Sequence, residues 1–112
     1  MAARYEIKKA KNGQFYFNLR AGNNEIILTS EMYTTKASAK NGIASVKKNA
    51  GDPGRFDRRV NRGGKDFFVL KAANHQVIGV SEAYNSKAAM ENGIRSVAKN
   101  AGAAVKDLTA GS

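Results

Sequence analysis

Two short stretches hold side chains that could act on a substrate. Ser30-Glu31-Met32-Tyr33 and Ser81-Glu82-Ala83-Tyr84 each set a hydroxyl, a carboxylate and a phenol within four residues. A clustered nucleophile and base would be the chemistry of interest. The same residues also suit a strand-to-helix turn, with Ser and Glu fixing the backbone and Tyr packing at the helix start like a hydrophobic staple. The turn is the better reading. Tyr33 and Lys36 stand at the wrong interval for the helical Tyr-Lys pair of a dehydrogenase, and no G-x-G-x-x-G is present. The lone His75 has no carboxylate or second histidine at ligand spacing. Its counterpart in the internal repeat described below is Asn24, so it reads as a turn residue that tolerates an unusual φ. Gly51-Asp52-Pro53-Gly54 formally matches the G-x-x-G of KH domains. It lacks the flanking helix pair and places an acid where phosphate would approach. The chain has no cysteine, which excludes thiol catalysis, disulfides and Cys-ligated metals. No cofactor is expected, and an enzyme is the least supported class.

The chemistry that does stand out is positive charge. Nineteen Lys+Arg against nine Asp+Glu give the 112 residues a net charge of +10. Taken singly these are solvated surface charges. Together they repel one another and favour a polyanion as partner. Arg55, Arg58, Arg59, Arg62 and Lys65 crowd into one short segment, diluted only by Asp57. No apolar run approaches the roughly 18 residues of a membrane span. The opening residues, through Arg4 and Glu6, are charged too early for a signal peptide. A cytoplasmic protein without membrane contact is the expectation.

These residues are carried by a duplication. Shifted by 51 positions the chain lands on itself without a gap: Asn41-Gly42-Ile43 on Asn92-Gly93-Ile94, Lys48-Asn49-Ala50-Gly51 on Lys99-Asn100-Ala101-Gly102. A unit of about 50 residues is marginal alone, so two copies are expected to complete one core. The expected organisation is one domain over residues 1–112. It holds repeats at about 4–54 and 55–109 and a tail at 110–112.

Each unit reads as three strands and a helix. Arg4 to Lys9 looks like a first strand, and Asn12-Gly13 or Gly63-Gly64 turns the chain into a second. In that strand Phe15, Phe17 and Leu19 alternate with Tyr16, Asn18 and Arg20, as Phe68 and Leu70 do with Phe67, Val69 and Lys71. A turn with Asn24 or His75 at positive φ leads to strands at Glu25–Thr29 and Gln76–Val80. A helix follows, capped near Thr34 or Thr35 and near Asn85 or Ser86, and ending at Gly51 or Gly102. Its apolar face is Ala39, Ile43, Val46, Ala50 and Met90, Ile94, Val97, Ala101. Beside it runs a stripe of small residues through Gly42 and Gly93. A mid-helix glycine costs about 1 kcal/mol against alanine, so the stripe is expected to let another backbone come close. Arg55 to Val60 is extended and joins the units; Val105 to Thr109 is the last strand.

This pattern, with Ser-Glu-x-Tyr, Lys-Ala and Asn-Gly-Ile-x-Ser-Val-x-Lys-Asn-Ala in both copies, resembles the YegP-like family of small repeat proteins. The resemblance covers about residues 4 to 109. It implies an α+β fold of duplicated β3-αβ units, an antiparallel sheet with two helices on one face, and C-terminal strands exchanged between the repeats. It brings no catalytic or binding residues with it.

If the helices cover the Phe17/Phe68 face, the other face offers Tyr16 and Phe67 beside Arg20 and Lys71. Stacking plus phosphate neutralisation is the device of single-strand platforms. The candidate polyanion-binding residues are therefore Tyr16, Arg20, Arg55, Arg58, Arg59, Arg62, Phe67 and Lys71. The alternative is a protein-interaction or structural module that uses the sheet face or edge, with Val69 beside Phe67 in its favour. A monomer with a pseudo-twofold axis is expected rather than a homo-oligomer.

Overall fold

A computed structural model describes residues 2–109; the expected tail at 110–112 lies outside them. The strands are β1 (Arg4–Lys9), β2 (Phe15–Arg20), β3 (Ile26–Ser30), β4 (Phe56–Val60), β5 (Asp66–Lys71), β6 (Val77–Val80) and β7 (Ala104–Asp107). The helices are α1 (Lys36–Asn49) and α2 (Lys87–Asn100). The turn chemistry follows the sequence. Gly13 and Gly64 have φ near 85° and 78°, and Asn24 and His75 sit at 72° and 70°. Thr35 and Ser86 cap the helices by accepting the N–H groups of Ser38 and Ala89. The helix ends differ from expectation. Ala50 and Ala101 cap them in right-handed conformation, and neither Gly51 nor Gly102 turns left-handed.

All seven strands form one sheet in the order β4-β5-β6-β3-β2-β1-β7. The repeats meet at β3 and β6, where Thr29 pairs with Val80 and Ser30 with Gly79. Thr29 and Val80 are counterparts at the 51-residue offset, so the pseudo-twofold axis passes between them. The sheet is mixed rather than antiparallel: β7 runs parallel to β1. The physical reason is its route. The chain leaves β6 through α2 and returns in β7 antiparallel to β6; the three antiparallel pairings between β6 and β1 make that direction parallel to β1. Exchange of C-terminal strands is one-sided. Residues 53–56, the counterpart of β7, form a 3₁₀ turn at Pro53–Arg55 and run straight into β4. Arg55 thus leaves the predicted strand. Asp52 and Pro53 set that turn, Asp52 by accepting the Gly54 N–H.

Both helices lie on the Phe17/Phe68 face. Cross-strand pairing puts Tyr5, Ile7, Phe17, Leu19, Leu28, Phe56, Phe68 and Leu70 on that side. They form one buried cluster with Ile43, Val46, Ile94 and Val97. The packing crosses the seam: α1 touches β5 and β6 as well as β2, and α2 touches β3 as well as β5. The Tyr5 hydroxyl donates to the Ala101 carbonyl at 2.6 Å, tying β1 of the first repeat to the helix end of the second. Burial there pushes the Tyr5 phenol well above its ordinary pKa.

The mid-helix glycines now have a cause. Tyr33 stacks on Phe17 with centroids 6.3 Å apart and 12° between planes, and its hydroxyl end fills the notch at Gly42. A Cβ on Gly42 would stand 2.8 Å from the Tyr33 ring and 3.0 Å from Phe17. Tyr84, Phe68 and Gly93 repeat the arrangement. The close approach is by a side chain of the same repeat, with no second backbone involved. Gly42→Leu is expected to lower stability by about 1–3 kcal/mol through overpacking, read as a shifted urea midpoint. Gly51→Ala, where a Cβ would meet nothing within 4 Å, should shift it by less than about 0.5 kcal/mol. An unchanged midpoint for Gly42→Leu would put the stripe in water.

Candidate functional site

The Ser-Glu-x-Tyr corners are built as structure. Ser30 Oγ accepts the Phe17 N–H at 2.9 Å and donates to the Glu31 carbonyl at 2.8 Å. Ser81 does the same between Phe68 and Glu82. Tyr33 and Tyr84 bridge back to Phe15 and Asp66 through their backbones. Burial first, and then Glu31, raises the Tyr33 pKa; burial, Glu82 and Glu25 do so for Tyr84. The serine hydroxyls are committed to the backbone, and the phenols are held protonated.

The face turned away from the helices carries the charge pattern. Its residues follow from register: Arg4, Glu6 and Lys8 on β1 oppose Arg20, Asn18 and Tyr16 on β2. At the far end Asp57 and Arg59 on β4 oppose Val69 and Phe67 on β5. The sequence expectation that Tyr16, Arg20, Phe67 and Lys71 share this face agrees with the pairing, and Arg59 joins them. Arg58 does not: it points to the helix side and binds Glu91 of α2 through two hydrogen bonds, the longer at 2.9 Å. Arg55 leaves too, since its guanidinium reaches Asn49 at the end of α1 and Asp52. Alternation along β4 is the reason for Arg58, and the 3₁₀ turn is the reason for Arg55. Arg62 is exposed in the turn after β4.

Each end of this face is organised around an acid that sequence reasoning passed over. Glu6, only 6 % exposed, lies between Arg20 at 2.7 Å, Arg4 at 2.9 Å and Lys8 at 3.7 Å. Its counterpart Asp57 takes Arg59 at 3.0 Å and Lys71 at 3.4 Å. Burial pushes Glu6 up, but the hydrogen bonds and charges of Arg20 and Arg4 outweigh it and leave the carboxyl below its ordinary value. The hydrogen bond from Arg59, aided by Lys71, lowers Asp57 in the same way. The available signal was an acid at the same place in both repeats, each between cations two residues away. Arg4 and Arg20 also grip Asn24, which fixes the β2–β3 turn to the cluster.

Between the two ends the face is tightly set, with Val69 and Val80 beside Asn18 and Thr29. Val69 is 2 % and Asn18 3 % exposed with no helix above them. Asn18 is held by Thr29 at 2.9 Å. Six cations (Arg4, Lys8, Arg20, Arg59, Lys71, Lys106) against two carboxylates leave the face at +4. Tyr16 and Phe67 are half-buried counterparts, each directly across from a cation, Lys8 or Arg59. The arrangement can stack flat rings and neutralise anions. Among the described residues no group of three His, Asp or Glu could hold a metal ion. No helix among them is long and apolar enough to cross a membrane.

Comparison with known proteins finds the same unit twice. The family model described as a domain of unknown function (DUF1508) matches residues 10–57 and again 61–107. The UPF0339 protein YegP of Yersinia pestis is 59 % identical over 106 residues, covering 94 % of this chain and 95 % of that one. Two solution NMR structures superpose closely. A UPF0339 protein from Shewanella oneidensis has a TM-score of 0.90 at 50 % identity, over 96 % of this chain and 92 % of that one. A protein of unknown function, yegP from E. coli, has a TM-score of 0.91 at 48 % identity, over 96 % and 94 %.

The Glu6 cluster makes a pH prediction. A carboxyl held lower in the folded than in the unfolded state adds stability above about pH 4.3, its unfolded value. That stability is lost as pH falls through the lower folded value. Glu6→Gln should cost about 1–3 kcal/mol at pH 7, and most of that difference should vanish near pH 2. Urea midpoints at the two pH values check it; an equal loss at both would mean Glu6 acts through packing alone.

Proposed function

The chain belongs to the DUF1508 family, a family of domains of unknown function, and from that footing we propose that it is a non-catalytic module that binds anionic polymers on its uncovered sheet face. Single-stranded nucleic acid is the polymer that suits it. The observation that carries the reading is the pair of aromatic–cation couples, Tyr16 with Lys8 and Phe67 with Arg59, related by the pseudo-twofold axis. β2 and β5 are three strand spacings apart, about 14 Å laterally. Tyr16 and Phe67 lie two residues to opposite sides of the Asn18–Thr29–Val80–Val69 row, so the rings stand about 20 Å apart. Two bases several nucleotides apart on one strand can stack while nearby phosphates meet the flanking cations.

The ion pairs on this face do not remove its charge. Glu6 is one carboxylate among three cations, and Asp57 one between two. They hold the guanidinium and ammonium groups in place, which reduces the ordering that binding requires. Nothing on the face resembles a base-reading code, so recognition is of backbone and ring stacks with modest affinity. Four to six phosphate contacts give a slope of log K against log salt of about −3 to −4 for single strands.

Titration of labelled oligonucleotides at low salt tests this. Tyr16→Ala and Phe67→Ala should each weaken single-strand binding by about 1–3 kcal/mol with folding intact. Arg59→Glu should flatten the salt slope. Arg58→Gln, on the helix side, should leave affinity unchanged. No binding of either single or double strands at 50 mM salt would remove the proposal.

A further inference from the structure

The pseudo-twofold axis maps every strand of one repeat onto a strand of the other except β7. β7 lies beside β1, with Val105 paired to Tyr5 and Asp107 to Ile7. Its image would lie beside β4, paired to Phe56 and Arg58. That place holds the outer edge of the sheet, because residues 53–56 are spent on the turn into β4. From this geometry we propose that the edge of β4 is a docking slot for an extended segment of another protein. The segment runs parallel to β4 and carries an apolar residue followed two positions later by Asp or Glu.

The sequence preference comes from the filled end. There Val105, 44 % exposed, faces α1 across a groove of about 380 Å³ that it lines together with Ile43 and Ala44. Asp107 reaches Lys36 at the start of α1 at 3.0 Å. At the open end a smaller groove, about 210 Å³, lies between β4 and the start of α2 and is lined by Arg58, Val60, Lys87 and Met90 among others. Lys87 is the counterpart of Lys36. It is exposed and makes no ion pair among the described residues. Val60, at the end of β4, is 61 % exposed. A strand in the register of β7 sets its apolar residue over the Phe56 row, beside Ile94 and Arg95, the counterparts of Ile43 and Ala44. Its acid then falls opposite Arg58, within the reach that Lys36 shows towards Asp107. Strand addition of this kind gains affinity from backbone hydrogen bonds and selectivity from alternate side chains.

The charge of the edge selects the occupant. Arg58, Arg59 and Lys87 outnumber Asp66 and Glu91 in the groove, and Arg62 and Lys65 follow in the turn after β4. A second copy of β4, paired antiparallel about its centre, would bring Arg58 against Arg58, which opposes self-association. This slot is separate from the open sheet face and does not depend on the reading of that face.

A peptide with the sequence of residues 103–109, Ala-Ala-Val-Lys-Asp-Leu-Thr, is the probe, and amide shifts of the full chain are the readout. We expect saturable shifts confined to β4 and the first turns of α2. Replacing the peptide aspartate with lysine should weaken binding about fivefold, the order of one half-exposed ion pair. Lys87→Glu should do the same to the original peptide, and the lysine peptide should recover part of the loss on Lys87→Glu. Absence of saturable shifts would overturn the proposal. So would shifts centred on β1 and β7, which mean displacement of the chain's own strand. Concentration-dependent dimers without peptide binding would give the edge to a second copy and also overturn it.

Discussion

Where β3 meets β6, two residue pairs, Thr29 with Val80 and Ser30 with Gly79, and the Glu31 N–H donating to the Ile78 carbonyl join the repeats; four more pairs join them at the far edge, between β7 and β1. A seam that short cannot hold two marginal half-domains together through backbone hydrogen bonds alone. The constraint is met above the sheet. Each helix covers strands of both repeats, and Leu28 leans over Gly79, its own counterpart. A Cβ at Gly79 would stand 2.8 Å from Leu28. One repeat supplies the large residue at the axis and the other yields the space. Perfect symmetry there would leave either a clash or a void.

That asymmetry spreads outward. With one core shared, one repeat can end in a strand and the other in a turn, since the helices already fasten both halves. β7 then closes the β1 edge while β4 stays open. The uncovered face remains nearly symmetric, because each half builds it from the same hairpin and anchors it on the same acid position, Glu6 or Asp57. The proposed polyanion face thus rests on a feature the repeats share, and the proposed β4 slot on a feature only one of them has.

Much of the fold was legible because the duplication repeats each local signal. Positive φ at Asn24 and His75, caps at Thr35 and Ser86, and the buried faces through Ile43 and Ile94 all follow from residue type and period. The facing of Tyr16, Arg20, Phe67 and Lys71 followed from strand alternation. What was not legible depended on route. Whether β7 joins parallel or antiparallel is decided by where a helix delivers the chain, and the fate of Arg55 by a 3₁₀ turn that the sequence reads equally well as a strand start. The pairing of Arg58 with Glu91, 33 residues away, has no local signal. The expectation that Gly42 admits another backbone was right about close packing. It missed the partner, because the ring that fills the notch comes from the turn just before the helix.

The central claim is that the two repeats are one cooperative unit held by packing across the seam. Native-state hydrogen exchange on the intact chain tests it most directly. The slowest amides of β2 and β5 should open with the same free energy. Gly79→Val, which crowds Leu28 at the axis, should lower both by an equal amount, about 1–3 kcal/mol. Loss of protection in β5 and α2 alone, with β2 and α1 unchanged, would show two repeats folding independently and would contradict the account.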